Sequence, residues 1–375
     1  MEDLEEACKL IGLEAKWLQP FDVEDPFNDQ LRMEGFISQK PDHRYGGLAI
    51  LRVGGRPAPQ VVYGTPKLQY PFGRDGAFHF PPIRSIDLFE KLDGTNICAY
   101  RYLDADGSLR TTYKLRLYPV LRNGKWGPFL DMWREMIARY PSIPDLAARN
   151  DCSVSLELYG SRNTHLVVYE EPLAAALLFG IDRSGNPVSP LSLDPLGLPL
   201  ARHWGHLDAR CDPVAEYARI RAEMEAGMKH LDEGKLQGAE GTVWYVTRAT
   251  GELVLFKCKP ESVEAVHWAA GINKEAVTAT CWNVFETQDT LTYETLLPLL
   301  QEEYSIEEIE RFRMYIDDCI AEVNEQLAYR NRVLEAYRAL GMSLAADKAG
   351  VMRALSKQFN KKDMKKVYTI VATYG

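Results

Sequence analysis

The spacing of apolar residues changes at about residue 285, and this change constrains the fold more than any other feature. Before it, short apolar runs bounded by Gly, Pro and Asp predict strands and turns with a few helices. After it, apolar residues recur at spacings of three and four, which predicts one long helix that begins at Ser305, a residue type that caps helices. Its apolar stripe, which we expect to pack in a core or against a partner, comprises Ile309, Phe312, Ile316, Ile320, Val323, Leu327 and Leu334. The sequence therefore predicts an α+β protein with a β-rich body and an all-helical C-terminal domain.

The predicted elements suggest three domains, with boundaries near residues 80 and 270. Residues 1–80 predict a small β-rich N-terminal module, 81–270 the main body, and 271–375 the helical C-terminal domain. In the first, Gly47–Val53 and Gln60–Tyr63 have the composition of strands. The strands predicted in the main body are Ile97–Leu103, Ser108–Leu117, Ser153–Tyr159, Ala174–Ile181, Gly241–Thr247 and Glu252–Cys258. Its predicted helices are Phe129–Arg139 and Pro213–Glu233.

Composition excludes several classes of protein. With 46% hydrophobic and 26% charged residues, the chain is neither disordered, collagen-like nor a coiled-coil rod. The longest apolar run, from Leu173 to Ile181, is far shorter than the roughly 20 residues of a membrane span. The chain begins with acidic residues, and its seven cysteines are dispersed without a CxxC pair. We therefore expect a cytoplasmic protein with reduced thiols and no membrane contact.

The charge distribution is uneven. The whole chain has a net charge of −9, but residues 341–375 carry seven Lys or Arg against two Asp, a balance of +5. Binding of nucleic-acid phosphates requires a local basic surface rather than a basic protein. The tail is therefore either a surface that contacts phosphates or simply a solvated helix face.

Five short motifs follow one another between residues 90 and 259. The first, Glu90–Asn96, contains a lysine, an aspartate two residues on and then glycine. A carboxylate, Glu157, and an aromatic residue, Phe179, then lie in two successive apolar strands. Glu240-Gly241 opens a further strand, and Lys257 and Lys259, two residues apart, share one face of the last. Each motif alone is common, whereas all five in this order are rare by chance.

The ordered series resembles that of the covalent nucleotidyltransferases, which include ATP-dependent ligases and mRNA capping enzymes. Their motifs run Lys-x-Asp-Gly, strand glutamate, strand aromatic, Glu-Gly and Lys-x-Lys, and the match spans residues 83–260. Asn96 is typical of the RNA ligases, since DNA ligases and capping enzymes typically have arginine there. Tyr63–Lys67 is similar to a Gly-x-Pro-Lys segment of the archaeal homodimeric RNA ligases, although those typically carry arginine where Cys98 stands. The resemblance implies a ligase-type nucleotidyltransferase domain of antiparallel sheets flanked by helices.

The same resemblance implies a three-step reaction with ATP and Mg²⁺ or Mn²⁺. Lys91 would attack the α-phosphorus of ATP to form a lysyl-AMP, the AMP would pass to an RNA 5′-phosphate, and a 3′-hydroxyl would then seal or circularise the strand. A lysine amine is nucleophilic only when neutral, so the pKa of Lys91 should fall from about 10.4. We expect Lys257, Lys259 and a bound metal to lower it.

The resemblance assigns a role to each motif residue. Lys257 and Lys259 would contact the α-phosphate, and Asp93 and Glu240 would organise the metal. The residues implied to bind nucleotide are Glu90 at the adenine amino group, Asn96 and Glu157 at the ribose or the metal shell, Arg116 at a phosphate, Phe179 stacked on adenine, and Glu240. The second basic motif lies within Tyr113–Arg116, where we favour Arg116 slightly over Lys114.

Two other classes of function remain compatible with the sequence. A DNA ligase or a capping-type guanylyltransferase would share the motifs, but either normally follows them with an OB-fold rather than helices. A non-catalytic RNA-binding protein on this fold would normally have lost motif residues, and here Lys91, Glu157, Glu240, Lys257 and Lys259 are all present. The archaeal resemblance also raises the possibility of a homodimer.

Overall fold

The computed structural model describes residues 2–73, 76–124, 127–163, 165–231, 235–268, 272, 274–301, 304 and 306–374. The chain divides into two compact units. The first contains residues 1–270 and 285–289, and the second contains residues 271–284 and 290–375. Ser305, the expected helix cap, lies outside the described residues.

The first unit begins with a helix and a four-stranded antiparallel meander. The helix α1 (Glu2–Ile11) precedes the strands β1 (Leu18–Asp25), β2 (Leu31–Ser38), β3 (Leu48–Val53) and β4 (Arg56–Val62), which pair in that order. The strand predicted at 47–53 is confirmed with one residue fewer, and the one predicted at 60–63 begins earlier. The helix α1 and the strands β1 and β2 were not predicted, because charged residues interrupt their apolar pattern.

Two further antiparallel sheets form the rest of this unit. Their strands are β5 (Ile83–Lys91), β6 (Thr95–Leu103), β7 (Leu109–Lys114), β8 (Ser153–Tyr159), β9 (Ala174–Ile181), β10 (Pro187–Val188), β11 (His203–Asp208), β12 (Lys229–His230), β13 (Leu236–Gln237), β14 (Gly241–Arg248) and β15 (Leu253–Cys258). One sheet has the order β10-β9-β8-β6-β7 and the other β11-β5-β14-β15, while β12 and β13 form a separate two-stranded hairpin. The helices of this region are α2 (Phe129–Arg139), α3 (Leu146–Arg149), α4 (Pro213–Ala226) and α5 (Glu261–Trp268).

Most predicted elements of the main body are confirmed, and two need correction. The hairpin across residues 104–107, the strands β8 and β9, and the helix α2 lie where the sequence predicts them. The helix α4 ends at Ala226 rather than at residue 233, because the chain after Gly227 turns into β12; residues 232–233 lie outside the described part. The strand predicted at Ser108–Leu117 ends at Lys114, because residues 116–117 form a turn flanked by the paired Leu115 and Tyr118. The strand β5, whose last residue is Lys91, was not predicted.

The N-terminal meander packs directly on the strand β6. Tyr100 and Tyr102 of β6 are fully buried in one cluster with apolar residues of β2 and β3. At the same junction, the fully buried Asp25 accepts hydrogen bonds from the hydroxyls of Tyr102 (2.9 Å) and Thr112 (2.7 Å). A buried carboxylate is costly unless such donors satisfy it. The meander is therefore joined to the β6–β7 hairpin by polar as well as apolar contacts.

The second unit is helical in the part that the structure describes. Its helices are α6 (Lys274–Thr287), which ends among the residues of the first unit, α7 (Tyr293–Leu300), α8 (Ile306–Arg311), α9 (Arg313–Leu340), α10 (Lys348–Leu355) and α11 (Met364–Tyr374). The long helix predicted from residue 305 is in fact two, since the backbone at Phe312 leaves helical geometry (φ −99°, ψ 14°). The predicted packing of the stripe is confirmed at the six buried residues Ile309, Ile316, Ile320, Val323, Leu327 and Leu334. No helix among the described residues is long and apolar enough to span a membrane.

Candidate active site

Strand pairing brings three of the five motifs to one end of the sheet β11-β5-β14-β15. The last residue of β5, Lys91, lies opposite Gly241, the first residue of β14. Thr242 in turn lies opposite Cys258, the last residue of β15. Because neighbouring strands are antiparallel, the end of β5, the start of β14 and the end of β15 meet at the same edge. Lys91, Glu240, Lys257 and Lys259 are gathered there.

Glu240 lies between two lysines. Its Oε2 accepts a hydrogen bond from the Nζ of Lys91 at 2.6 Å, and its Oε1 lies 3.0 Å from the Nζ of Lys259. Burial alone would raise the pKa of Glu240, but the two ammonium groups outweigh it and lower the pKa to about 2. The Lys91 side chain remains 22% exposed, against 9% for Lys259. The amine that the sequence assigns as nucleophile is thus the most accessible member of a buried ionic triad.

The other sheet contributes Glu157, in the middle of an apolar strand. This residue on β8 pairs with Asn96 on β6, and its Oε1 accepts a hydrogen bond from the backbone N–H of Gly94 at 3.1 Å. Burial raises the pKa of Glu157 to about 8, although the charges of Lys91 and Arg116 act in the opposite direction. Burial thus favours the protonated form of Glu157, whereas the two lysines favour the ionised form of Glu240.

The motif glycines allow neighbouring strands to approach closely. A side chain at Gly94 would place its Cβ 2.2 Å from the carbonyl oxygen of Leu158, and one at Gly241 would place its Cβ 2.4 Å from that of Cys258. Both distances are well inside van der Waals contact, and in each case the obstacle is backbone, which has little freedom to move. Glycine is thus required at both positions by the packing of the strands.

The side-chain oxygen of Asn96 has no hydrogen-bond partner among the described residues. Its Nδ2 donates to the Oγ of Ser155 (2.9 Å) and to the carbonyl of Leu156 (3.2 Å). Its Oδ1 is buried and accepts no hydrogen bond from the described residues. The Ser155 hydroxyl also contacts that of Thr65 at 3.2 Å, within the segment that resembles the archaeal ligases. A buried carbonyl oxygen of this kind is an available ligand or acceptor.

Asp93 is engaged by backbone groups. Its Oδ2 accepts hydrogen bonds from the N–H groups of Leu166 and Val167, each at 2.6 Å, and its own N–H donates to the hydroxyl of Tyr169 at 2.8 Å. Oδ2 is thus engaged by the protein, whereas no hydrogen bond to Oδ1 is found among the described residues. Sequence reasoning missed Tyr169, which lies in an irregular segment without periodicity or a recognisable motif.

The two candidates for the second basic motif occupy different environments. Lys114 is fully buried, and its Nζ donates to the carbonyls of Leu115 (2.8 Å) and Arg116 (2.9 Å). Burial lowers the pKa of Lys114 to about 8. Arg116 is half-buried, and its charge acts on Glu157. Lys114 thus stabilises the turn, whereas Arg116 contributes charge to the site.

The remaining motif residues lie around this centre. The Nζ of Lys257 lies 4.3 Å from the ring centroid of Tyr70. Glu90 is half-buried, and burial raises its pKa although Arg202 opposes the shift. Phe179 is only 3% exposed and packs in an apolar core cluster that includes Phe89. Its ring therefore has little open face for adenine in this conformation.

The oxygen ligands present are suited to a hard divalent cation. No group of three or more His, Cys, Asp or Glu side chains is arranged to hold a metal ion among the described residues. Mg²⁺, however, is usually held by one or two carboxylates together with substrate phosphates and water. Glu240, the Oδ1 of Asp93 and the buried Oδ1 of Asn96 are ligands of that type. The site therefore fits a metal that arrives with a nucleotide.

Of the comparisons with known proteins, only the one with solved structures gives matches, and the matches described below are ligases. No family model matches the chain, and no curated protein matches it. An archaeal ATP-dependent RNA ligase is similar at 14% identity and a TM-score of 0.46, over 89% of this chain and 82% of that one. A putative ATP-dependent DNA ligase from Aquifex aeolicus is similar at 11% and 0.43, over 90% and 80%. A Naegleria gruberi RNA ligase mutant with ATP and Mn gives 14% and 0.31, over 48% and 51%. These structural neighbours are RNA and DNA ligases. Their sequence identities and TM-scores are too low to support a conclusion about this chain.

Proposed function

We propose that this protein is an ATP-dependent RNA ligase that forms a covalent lysyl-AMP on Lys91. The observation that carries the proposal is the triad in which the partly exposed Lys91 and the buried Lys259 share Glu240, at a sheet edge that also holds Lys257. These side chains lie on or directly beside the ends of three strands and belong to the first, fourth and fifth motifs of the series. An ordinary ion pair would not require all of them in that order.

The triad supports a division of labour between Lys91 and the other two lysines. Lys91 Nζ attacks the α-phosphorus, a nitrogen–phosphorus bond forms, and the bond to the β-phosphate oxygen breaks with release of pyrophosphate. The pair with Glu240 stabilises the charged ammonium, so the partly exposed Lys91 must leave Glu240 and release a proton to solvent water before it attacks. Lys257 and Lys259 remain cationic and offset the charge on the phosphates.

The other site residues are assigned as follows. Glu240 and the Oδ1 of Asp93 would hold a Mg²⁺ or Mn²⁺ ion, which when bound neutralises charge on the phosphates. Asn96, with its buried Oδ1, and Glu157, whose pKa burial raises, would hydrogen-bond the ribose or waters of the metal shell. Arg116, rather than the buried Lys114, would contact a phosphate.

Adenine recognition is the part of the proposal that requires a change of conformation. Glu90 would accept a hydrogen bond from the adenine amino group. Stacking on Phe179 requires this ring, which is 3% exposed, to be uncovered when nucleotide binds.

The proposal gives the basic tail a role in holding RNA. All seven Lys and Arg residues of residues 341–375 are exposed. The Nζ of Lys348 lies 4.1 Å from the ring centroid of Tyr368, and the Nζ of Lys366 lies 4.8 Å from the ring centroid of Tyr329. Cations beside aromatic rings are typical of surfaces that bind single strands. We also propose that the protein forms a homodimer, by its resemblance to the archaeal homodimeric RNA ligases. A mass of 42.5 kDa by light scattering, which is that of one chain, would exclude the dimer.

The test of the covalent step is label transfer. The protein is incubated with Mg²⁺ or Mn²⁺ and α-labelled ATP, with α-labelled GTP in parallel, and run on a denaturing gel beside Lys91→Ala. We expect a covalent band with ATP that is absent in the variant. A band with GTP alone would indicate a capping-type enzyme, and no band from folded wild-type protein would indicate a non-catalytic binding protein.

The test of the nucleic-acid substrate compares RNA and DNA strands that carry a 5′-phosphate. We expect sealing or circularisation of RNA, whereas sealing of nicked DNA alone would indicate a DNA ligase. Changing Lys361, Lys362, Lys365 and Lys366 to Glu should weaken RNA binding at low salt and leave lysyl-AMP formation intact. Unchanged affinity would remove the tail from the proposal.

A further inference from the structure

We infer that residues 165–169, here called the bracket loop, are a positioning element that holds Lys91 and Glu240 together, with Tyr169 as its principal residue. The expected effects on reaction rates rest on the proposed function, whereas the contacts of the bracket loop are independent of it. Lys91 ends β5 and Gly241 begins β14, so the residues that follow Lys91 and those that precede Gly241 lie beyond the ladder that joins these strands. Contacts outside the β5–β14 ladder must therefore fix the residues that follow Lys91 and those that precede Gly241.

On one side, the bracket loop fixes the turn that follows Lys91. Asp93, two residues on, accepts hydrogen bonds from the N–H groups of Leu166 and Val167 and donates its own to Tyr169. Three hydrogen bonds thus join one residue of the turn to one short loop. A carboxylate that accepts two backbone N–H groups forms charge-assisted bonds, which are stronger than neutral ones.

On the other side, the bracket loop fixes the segment that leads into Glu240. Val167 forms a parallel bridge with Leu236 of β13, in which the N–H of Leu236 donates to Leu166 (3.0 Å) and that of Val168 donates to Leu236 (2.8 Å). The Nζ of Lys235 also donates to the carbonyl of His165. Leu236 precedes Glu240 by four residues, so this attachment controls how the chain enters the β14 strand.

Tyr169 connects the bracket loop to the site electrostatically as well. Its hydroxyl accepts the Asp93 N–H, and its ring packs edge-on against Tyr159 with centroids 5.0 Å apart. Burial raises the pKa of Tyr169, and the charges of Asp93, Glu240 and Glu157 act in the same direction. Removal of the hydroxyl would leave the Asp93 N–H without its acceptor and loosen the turn beside the nucleophile.

The experiment compares two hydroxyl deletions in the same pair of rings. Tyr169→Phe removes the acceptor, and Tyr159→Phe is the matched control, because no hydrogen bond of its hydroxyl is found among the described residues. We expect Tyr169→Phe to slow single-turnover lysyl-AMP formation at saturating ATP by about tenfold, the effect of one buried hydrogen bond. The ATP concentration for half-maximal rate should change less than about twofold, because the loop positions residues rather than binding ATP. Equal rates in both variants would overturn the inference.

A second pair of variants tests the other side of the loop. Lys235→Met removes the bond to His165, with Lys229→Met on the same hairpin as its control. The double variant Tyr169→Phe/Lys235→Met should lose less than the product of the single effects, because both act through one element. Fully multiplicative losses would show two independent contacts and contradict the bracket.

A readout that does not require ligase activity separates this inference from the proposed function. The rate at which acetic anhydride modifies the Lys91 amine, followed by mass spectrometry, reports how firmly Glu240 holds it. We expect acetylation of Lys91 to be about threefold faster in Tyr169→Phe than in wild type or Tyr159→Phe. If wild-type protein forms no lysyl-AMP but this difference appears, the proposed function fails and the bracket stands. If acetylation is unchanged, the bracket fails whatever the activity.

Discussion

Glu240 and Glu157 are buried to nearly the same extent, at 4% and 7% exposure, yet they have opposite electrostatic states. Glu240, at the edge of one sheet, lies against two ammonium groups and its pKa falls to about 2. Glu157, in the other sheet, accepts one backbone N–H, and burial raises its pKa to about 8. The nearest donors, and not the depth of burial, decide the charge of each carboxyl group.

The two carboxyl groups can therefore have different roles in one site. A permanently ionised group is a partner for a lysine or a divalent cation, whereas a protonated carboxyl both donates and accepts hydrogen bonds. The first state suits phosphate chemistry, and the second suits a hydroxyl-bearing sugar or a bound water. Each sheet thus contributes a carboxyl group of a different kind, and the Lys-x-Asp-Gly turn joins the two.

The largest expected effect is the difference between Glu240→Gln and Glu157→Gln, which replace the two glutamates by the same neutral isostere. Glu240→Gln removes a charge that Lys91 and Lys259 share, so we expect lysyl-AMP formation to fall by about 10²–10³-fold. Glu157→Gln replaces a carboxyl that is already largely neutral, so at pH 6.5 we expect a loss below about fivefold. Single-turnover label transfer measures both. Comparable losses in the two variants would break the comparison.

A smaller effect is expected in the pH dependence of stability. The pKa of Glu157 is raised on folding, so its contribution is complete below the unfolded value of about 4.5 and is lost as the pH rises towards about 8. The slope approaches about 1.4 kcal/mol per pH unit. Between pH 5.5 and 7.5 the wild type should therefore lose about 2 kcal/mol more than Glu157→Gln, as measured by urea denaturation.

Glu240 should behave in the opposite sense and provides the internal control. Its pKa is lowered on folding, so its contribution is complete above about 4.5 and is lost as the pH falls towards about 2. Glu240→Gln also removes one of the charges that raise the pKa of Glu157, so the slope between pH 5.5 and 7.5 should persist but level off at a somewhat lower pH than in wild type. Loss of the slope throughout this range in Glu240→Gln would mean that Glu240, and not Glu157, is its source.

The smallest effect is expected from Arg116. Its charge lowers the pKa of Glu157, so Arg116→Met should move the upper end of the stability loss to higher pH by less than about one unit. The measurement is the same denaturation series, extended to pH 9.5. Arg110→Met, on the exposed part of the strand β7, is the matched control. A shift to lower pH would contradict the assigned influence of Arg116.

Local patterns predicted the strands of the site better than its chemistry. The strand β9 is a continuous apolar run, and β6, β7 and β8 are rich in β-branched, aromatic and other apolar residues between turn residues. The β5 strand was missed because Arg84, Asp87 and Glu90 interrupt its apolar residues. Pairing with β11 and β14 on both sides stabilises it, and such pairing is invisible in a local window.

The roles of Asp93 and Tyr169 depend on contacts between distant segments. Asp93 reaches residues more than seventy positions along the chain, and no spacing in the sequence indicates this approach. The opposite states of Glu157 and Glu240 likewise follow from neighbours that only the folded chain supplies. Residue types therefore predicted which groups matter, while their protonation and their supports required the three-dimensional structure.

The buried Asp25 affects where the chain can be truncated without disrupting the fold. It accepts the hydroxyls of Tyr102 and Thr112 across the boundary between the meander and the β6–β7 hairpin. A chain begun at residue 81 would expose the rings of Tyr100 and Tyr102 and leave the hydroxyls of Tyr102 and Thr112 to water. Both tyrosines are on β6, which pairs with the strand that carries Glu157, and Thr112 is on β7, the next strand of that sheet. The meander is thus part of the folded core that supports the site. Gene fusions or deletions that are meant to preserve function should keep the meander and the β6–β7 hairpin in one polypeptide.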